Sequence, residues 1–303
     1  MLTQTVETYL SVRRAAGYKL ADVERYLRDF ARFASDRGDE FIVARTAIDW
    51  ARGTHSPAQC HVRLQMVVQL ARFSRVEDAR HEVPPAGFFP HRHRRPTPYI
   101  FSPQELQALM AQAARLGPSG SLRPHTYSTL LALLAVTGLR ISEAIALRLC
   151  DHRPEGLVIR ETKFRKSRVV PLHPTSHAAL EHYVEKRSRW ARDDDHLFVS
   201  GRHRALCANV VRQTFYQLSA RAGIPHEKGR PRPRLMDLRH TYATRILLAS
   251  PDSRDQVRRH MVALSTALGH SSVASTFWYL ERTPALMVDI AQACRDHIAR
   301  RRP

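Results

Sequence analysis

Between residues 83 and 100 the chain reads VPPAGFFPHRHRRPTPYI, and the five prolines in that stretch constrain everything on either side of it. Proline lacks a backbone N–H and locks φ, so neither a helix interior nor a sheet interior runs through such a segment. The flanking text is amphipathic on both sides, which implies two folded bodies joined by an extended, stiff connection. The expected division is a helical unit over residues 1–88, a basic proline-rich linker over 89–100 and a second unit over 101–303. A chain of 303 residues is long enough to bury a core in each.

The first unit reads as four helices. Val6, Tyr9, Leu10 and Val12 make one apolar stripe before Gly17, and Val23, Tyr26, Leu27, Phe30 and Phe33 make a second before Gly38. A third helix runs through Ala47, Ile48 and Trp50 to Gly53. The fourth opens on Ser56, Pro57 and Gln59, the pattern of a capping box with proline at the first helical position, and continues through Leu64, Val67, Val68, Leu70 and Phe73.

The second unit opens on Ser102, Pro103 and Glu105, again a capping box. A helix to about Leu116 precedes one from Tyr127 to Val136 whose LLALLAV core is apolar nearly all round, the mark of a buried helix. Two β-rich runs, GLVIRETK (156–163) and SRVVPL (167–172), flank a short basic turn and predict a hairpin. Helices are expected around 177–189, 209–222, 241–248, 257–267 and 285–300. The fold class is therefore mainly α with a small antiparallel β-sheet: a helical N-terminal domain and a mixed α/β second domain.

Charge narrows the partner. Lysine and arginine number 48 against 28 acidic residues, a formal charge of +20 that exceeds what solubility needs and points to a polyanion, nucleic acid first. A membrane surface is the weaker reading, because the basic residues are spread through the chain rather than gathered on one helix. Cys60, Cys150, Cys207 and Cys294 lie far apart without a CxxC pair, which argues against zinc and disulfides and for a reducing compartment. The start MLTQTVETYLSVRR carries no cleavable signal pattern and no apolar run reaches about 18 residues, so a cytoplasmic location is expected.

Four residues suggest phosphodiester chemistry, which needs a nucleophile, charge at the non-bridging oxygens and a proton for the leaving oxygen. Tyr279, in LGHSSVASTFWYL (268–280), offers a phenolate able to form a covalent phosphotyrosine, although beside Phe277 and Trp278 it also reads as a core or interface aromatic. Arg140, in TGLRISEAIAL (137–147), precedes Ser142 as the expected N-cap, with Glu143 in the first turn to hold its guanidinium; the plainer reading is a surface arginine paired with an acid. Arg239, in DLRHTYAT (237–244), carries the same two readings, although its place at the start of an apolar helix suggests a partly buried guanidinium that needs an anionic partner. His270, one of 17 histidines, follows Gly269, a natural helix terminator. Nine residues of unbroken helix turn about 900°, so a break at Ser271 and Ser272 is needed for His270 and Tyr279 to meet one phosphate. Lys163 at the hairpin mouth reads either as a merely solvated turn lysine or as one carried into a DNA groove to protonate a leaving oxygen, with Lys166 its rival for that role and Lys166 and Arg168 expected as DNA contacts; in the linker, Arg92, Arg94 and Arg95 read either as a solvated run or as a phosphate-tracking strip.

In their order and spacing, TGLRISEAIAL, ETKFRKSRVVPL, DLRHTYAT and LGHSSVASTFWYL resemble the boxes of the tyrosine recombinase, or phage integrase, family over roughly residues 100–300. The resemblance implies a core-binding domain followed by a catalytic domain, clamped around double-stranded DNA at specific recombination sites as a homotetramer, with paralogous recombinases as possible partners and residues 285–300 as a helix exchanged between protomers. It implies that Tyr279 attacks the scissile phosphate to give a 3′-phosphotyrosine and a free 5′ hydroxyl. Arg140 and Arg239 would hold the phosphate, Lys163 would act as general acid, His270 would bond the transition state and Glu143 would support Arg140. No metal and no cofactor is implied. One position departs from the pattern: Met236 stands three residues before Arg239, where the family carries a histidine, and a thioether cannot shuttle a proton. His240, adjacent to Arg239, is expected to face elsewhere.

Overall fold

The computed structural model describes residues 2–18, 20–54, 56–89, 97–160, 167–190, 194–224, 232–249 and 254–269. The chain divides into two compact units, Met1–Arg95 and Pro96–Pro303, the boundary falling inside the proline-rich stretch.

The first unit contains α1 (Leu2–Ala15), α2 (Ala21–Ser35), α3 (Ala44–Arg52) and α4 (Pro57–Ser74). Leu10, Leu27, Phe30, Trp50, Leu64, Val67 and Leu70 meet in one core, each fully buried leucine contributing about 1.5–3 kcal/mol. Phe30 meets Trp50 edge to face at 5.4 Å, and Tyr9 meets Phe73 in the same way at 5.3 Å. The Trp50 indole N–H is satisfied by Asp29 Oδ2 at 3.0 Å. Leu2 joins the buried stripe of α1, whereas Val12, expected on it, is exposed. After α4 the chain returns along the bundle, held by Gln65 Nε2 donating to the Ala86 carbonyl at 2.6 Å and by the Ile42 amide donating to His81 Nδ1 at 3.1 Å. Ser56 is the N-cap of α4, but its side chain makes no capping bond. The oxygen of Gln59 instead accepts from Thr54 Oγ1 at 2.6 Å, which removes the reciprocal partner the box requires.

In the second unit the Ser102 capping box does form: Glu105 N donates to Ser102 Oγ at 3.1 Å and Ser102 N to Glu105 Oε2 at 2.7 Å. It starts α5 (Pro103–Ala114). Next comes α6 (Arg123–Thr137), which buries Tyr127, Leu130, Leu131, Leu133 and Leu134 against α5, α8 (Pro174–Ser188) and α10 (Asp237–Leu248). Its C-cap is Gly138 at φ 63°. The short α7 (Ile141–Ile145) follows, capped by Arg140 and not by Ser142.

A 3₁₀ turn (Leu149–Asp151) leads into a three-stranded antiparallel sheet in the order β1 (His152–Arg153), β2 (Gly156–Ile159), β3 (Arg168–Val170). The hairpin partners are Leu157 with Val170 and Ile159 with Arg168. Side chains alternate across a strand, so Arg168 shares the core-facing side with Val170, while Val169 points outward and is exposed. Two further helices, α9 (Ala208–Arg221) and α11 (Arg254–Leu268), complete the described part of the unit. Residues from α10 and α11, including Ala243, Leu247, Met261, Leu264 and Leu268, form a small cluster of their own. No helix among the described residues is long and apolar enough to cross a membrane.

Candidate active site

Three arginines converge on the last turn of α11. A helix ends with carbonyls that have no intrahelical donor, and the dipole makes that end negative, so cations are held there. Arg239 of α10 donates from Nη2 to the Leu268 carbonyl at 2.6 Å and from Nη1 to the Gly138 carbonyl at 2.7 Å. Its residue is 4% exposed, more deeply buried than the partly buried guanidinium expected from sequence. Arg140 reaches the same turn from the other side, Nη1 lying 3.4 Å from the Leu268 carbonyl and Nη2 3.3 Å from that of Gly269. Arg168 of β3 takes the next carbonyl, Nε donating to Ala267 O at 2.8 Å.

Glu143 binds two of these arginines together. Its Oε1 accepts from Arg140 Nη1 at 2.9 Å and from Arg168 Nη1 at 3.2 Å; its Oε2 accepts from the Arg140 amide at 3.0 Å and from Arg168 Nη2 at 2.9 Å. Burial pushes its carboxyl up, but the hydrogen bonds from Arg168 and the Arg140 amide, with both positive charges, outweigh burial and hold it below the usual carboxylate range. The Glu143 side chain is 8% exposed and that of Arg168 10%, whereas Arg140 keeps 31%. Arg140 is therefore the arm of the cluster that remains open to an anion from solvent. Three guanidinium charges against one carboxylate leave two in surplus among the described residues of the cluster.

Two glycines make the convergence possible. At Gly138 a Cβ would lie 2.5 Å from Tyr242 Cδ1 and 2.9 Å from Leu268 Cδ2; at Gly269, φ 64°, it would lie 2.6 Å from Arg168 Nη1. Both positions combine left-handed backbone with close approach, and only glycine accepts both. The Gly269 amide closes the helix onto Thr266 O at 2.9 Å, as expected of a terminator.

At the start of α10, Asp237 is buried and accepts from the Arg234 amide at 2.7 Å and from its guanidinium at 3.0 Å. Met236 occupies the N-cap position and is 44% exposed. His240, one turn on, has its ring mostly buried with Nε2 3.9 Å from Asp237 Oδ1. Burial drives its pKa down to about 4; Asp237 opposes the shift, and Arg234 and Arg239 add to it. It is neutral at pH 7.

The structure thus brings Arg140, Glu143, Arg168 and Arg239 to one helix end. Arg168 departs from the expectation of a DNA-facing side chain: strand alternation turns it inward, and its fork is engaged by Glu143 and Ala267. Lys163, Lys166, His270, Tyr279, Arg92, Arg94, Arg95, the break at Ser271 and Ser272 and the helix over 285–300 lie outside the described residues. Sequence reading passed over the carbonyls of Gly138 and Leu268 as acceptors. Among the described residues, Asp194, Asp195 and His196 are the group with metal-ligand spacing, their ligand atoms within 4.8 Å of one another; Asp194 and His196 already bond each other at 2.8 Å.

The class defined by this geometry is a mainly helical domain that fixes an arginine cluster, open at Arg140, on a helix terminus. The chain belongs to the phage integrase family, the tyrosine recombinases, whose pattern matches residues 100–285. It is 36% identical over 294 residues, 94% of each chain, to a protein of Sinorhizobium fredii designated integrase/recombinase y4rB. It is 30% identical over 271 residues to the tyrosine recombinase XerD of Caulobacter vibrioides, covering 88% of this chain and 84% of that one. Among solved structures, the Tn1549 transposon integrase in complex with transposon right-end DNA shares the fold at a TM-score of 0.66 and 17% identity, covering 97% of this chain and 99% of that one.

Proposed function

We propose that this recombinase cuts and rejoins duplex DNA at specific sites through a 3′-phosphotyrosine on Tyr279, in the service of a mobile element. The observation that supports this most is the partly exposed Arg140 guanidinium, aimed by Glu143 and by the carbonyls of Leu268 and Gly269, one residue before His270 in the sequence. Donors fixed before the reaction stabilise charge as it develops at the non-bridging oxygens, each contributing about 10²–10³ in rate. Arg140 takes the phosphate oxygens directly, Arg239 joins it by exchanging one of its carbonyl acceptors, Gly138 or Leu268, for a phosphate oxygen, and His270 adds a further hydrogen bond. The Tyr279 hydroxyl gives up its proton to solvent and its oxygen bonds to phosphorus as the bond to the 5′ oxygen breaks, with Lys163 supplying the proton to that leaving oxygen. The freed 5′ hydroxyl then attacks the phosphotyrosine of a partner strand, its oxygen bonding to phosphorus as the bond to the tyrosine oxygen breaks and the tyrosine hydroxyl is reprotonated. A DNA partner is in keeping with the +20 charge and with the DNA-bound transposon integrase of the same fold. Assembly as a homotetramer on two sites, in the cytoplasm at the nucleoid, follows the same reading.

Met236 favours a second reading, an impaired DNA-binding subunit that works beside an active paralogue. The position is exposed at the head of α10, where a thioether moves no proton, and His240 is held neutral and mostly buried one turn away. A duplex selected by the wild-type chain from a random-sequence pool, nicked near the cleavage point, separates the two. An adduct that Tyr279→Phe abolishes supports the enzyme; binding without adduct, with cleavage gained in Met236→His, supports the subunit.

A further inference from the structure

The proposed chemistry requires that Arg140 and the chain leaving α11 reach one phosphate in a fixed relation, and one side chain ties these two pieces to the sheet. Resting on that reading, we infer that Arg168 is a positioning residue, which with Glu143 clamps the end of α11 against α7 and so sets the direction of Arg140. Its three nitrogens have three assignments: Nε to Ala267 O at 2.8 Å, Nη1 to Glu143 Oε1 at 3.2 Å and Nη2 to Glu143 Oε2 at 2.9 Å. Pairing Ile159 with Arg168 puts the side chain on the core face of the hairpin, and only 10% of it is exposed. The guanidinium lies so close to Gly269 that a Cβ there would sit 2.6 Å from Nη1.

Glu143 is the shared element. Its Oε1 receives both Arg168 Nη1 and the outward-reaching Arg140 Nη1. Without Arg168 the carboxylate turns toward Arg140 alone, and the α11 terminus loses its attachment to β3. Lysine cannot replace it, because an ammonium has no planar fork to reach a carboxylate and a carbonyl on another element together. Arg168 is the first residue of β3, so the clamp also ties that strand to the helix end.

A DNA contact and a clamp differ in what they change. Each arginine bonded to a phosphate adds about 0.9 to the salt slope of DNA binding, whereas a clamp adds none. The test uses the full chain, the selected duplex and its nicked form, with Arg168→Lys, Glu143→Gln and the double variant. The measurements are thermal midpoint, salt slope, and single-turnover adduct formation at saturating DNA and at temperatures well below each midpoint. The expected result is an unchanged salt slope and a rate at least about tenfold lower in each single variant, the scale of a small misplacement of an active group. The double variant should fall no further than the worse single one, as for residues acting as a unit. A salt slope reduced by about one, an unchanged rate, single losses that multiply, or a rate restored wherever the variant is fully folded would each overturn the inference. No adduct from the wild-type chain would overturn the catalytic reading, and the clamp with it; adduct from wild type with an undiminished Arg168→Lys rate overturns the clamp alone.

Discussion

Replacing Gly138 by alanine tests the packing that holds the arginine cluster. Two costs add. At φ 63° a residue with a Cβ loses roughly 1–2 kcal/mol to left-handed backbone strain. The new methyl would also sit 2.5 Å from Tyr242 Cδ1 and 2.9 Å from Leu268 Cδ2, so both side chains must move, an overpacking cost of about 1–3 kcal/mol. The expected loss centres on about 3 kcal/mol, and in a unit of this size each kcal/mol lowers the midpoint by roughly 2–4 °C, so a fall of about 6–12 °C follows. The damage should reach the site, because Gly138 O accepts from Arg239 at 2.7 Å and Leu268 O from the same guanidinium at 2.6 Å. Thermal unfolding of Gly138→Ala, Tyr242→Leu and the double variant apportions the two costs. The alanine should be cheaper by about 1–3 kcal/mol once the Tyr242 ring is gone, while the backbone strain persists. A midpoint within about 2 °C of wild type, or a cost independent of residue 242, would refute the reasoning.

Glu143→Ala leaves the Arg168 guanidinium, with a 10% exposed side chain, without its carboxylate, and a loss of about 3–5 kcal/mol is expected, read as a lower urea midpoint at unchanged slope. Glu143→Gln, which keeps an acceptor, should lose less. His240 gives a pH dependence of definite sign. Its pKa in the fold is about 4 against 6.5 for the free group, so the unfolded chain binds the extra proton between those values. Its contribution is fully present above pH 6.5 and is lost as pH falls toward 4, about 3 kcal/mol in all. Urea unfolding at pH 7 and pH 4.5 should show the wild type losing more stability than His240→Gln; equal losses would sink the assignment. Glu143, held below the usual carboxylate range, keeps its contribution above that range and loses it only as pH falls below it, through the lowered value of the folded state.

How far the fold could be read from sequence depended on whether a signal was local. The helices of both units were legible because apolar spacing and glycine stops repeat within one helix, and the hairpin because its strands are β-rich on both sides of a turn. Strand β1 was not, since two residues carry no period. Ser56 and Ser102 share one local pattern and diverge in the structure, because Thr54 engages the single side-chain oxygen of Gln59 in one case, whereas Glu105 has two and serves Tyr99 with Oε1 and the Ser102 amide with Oε2 in the other. At the site, the motifs located Arg140, Arg239 and Glu143 as the acid that holds Arg140, but not the carbonyl acceptors, of which Leu268 lies 128 residues from Arg140 and Gly138 101 residues from Arg239. Arg168 is the sharper lesson. The alternation that puts Val170 inward puts Arg168 inward too, yet the basic run KFRKSR argued for solvent. Burial of an arginine is set by acceptors gathered around it, here Glu143 and a helix end 99 residues further on, and not by the polarity of its neighbours in sequence. In a strand where one charged residue falls on the apolar face, the question to ask of the sequence is which carboxylate and which helix terminus the fold delivers to it. In this chain that question leads from β3 through Glu143 to Arg140, the most solvent-exposed arginine of the cluster among the described residues.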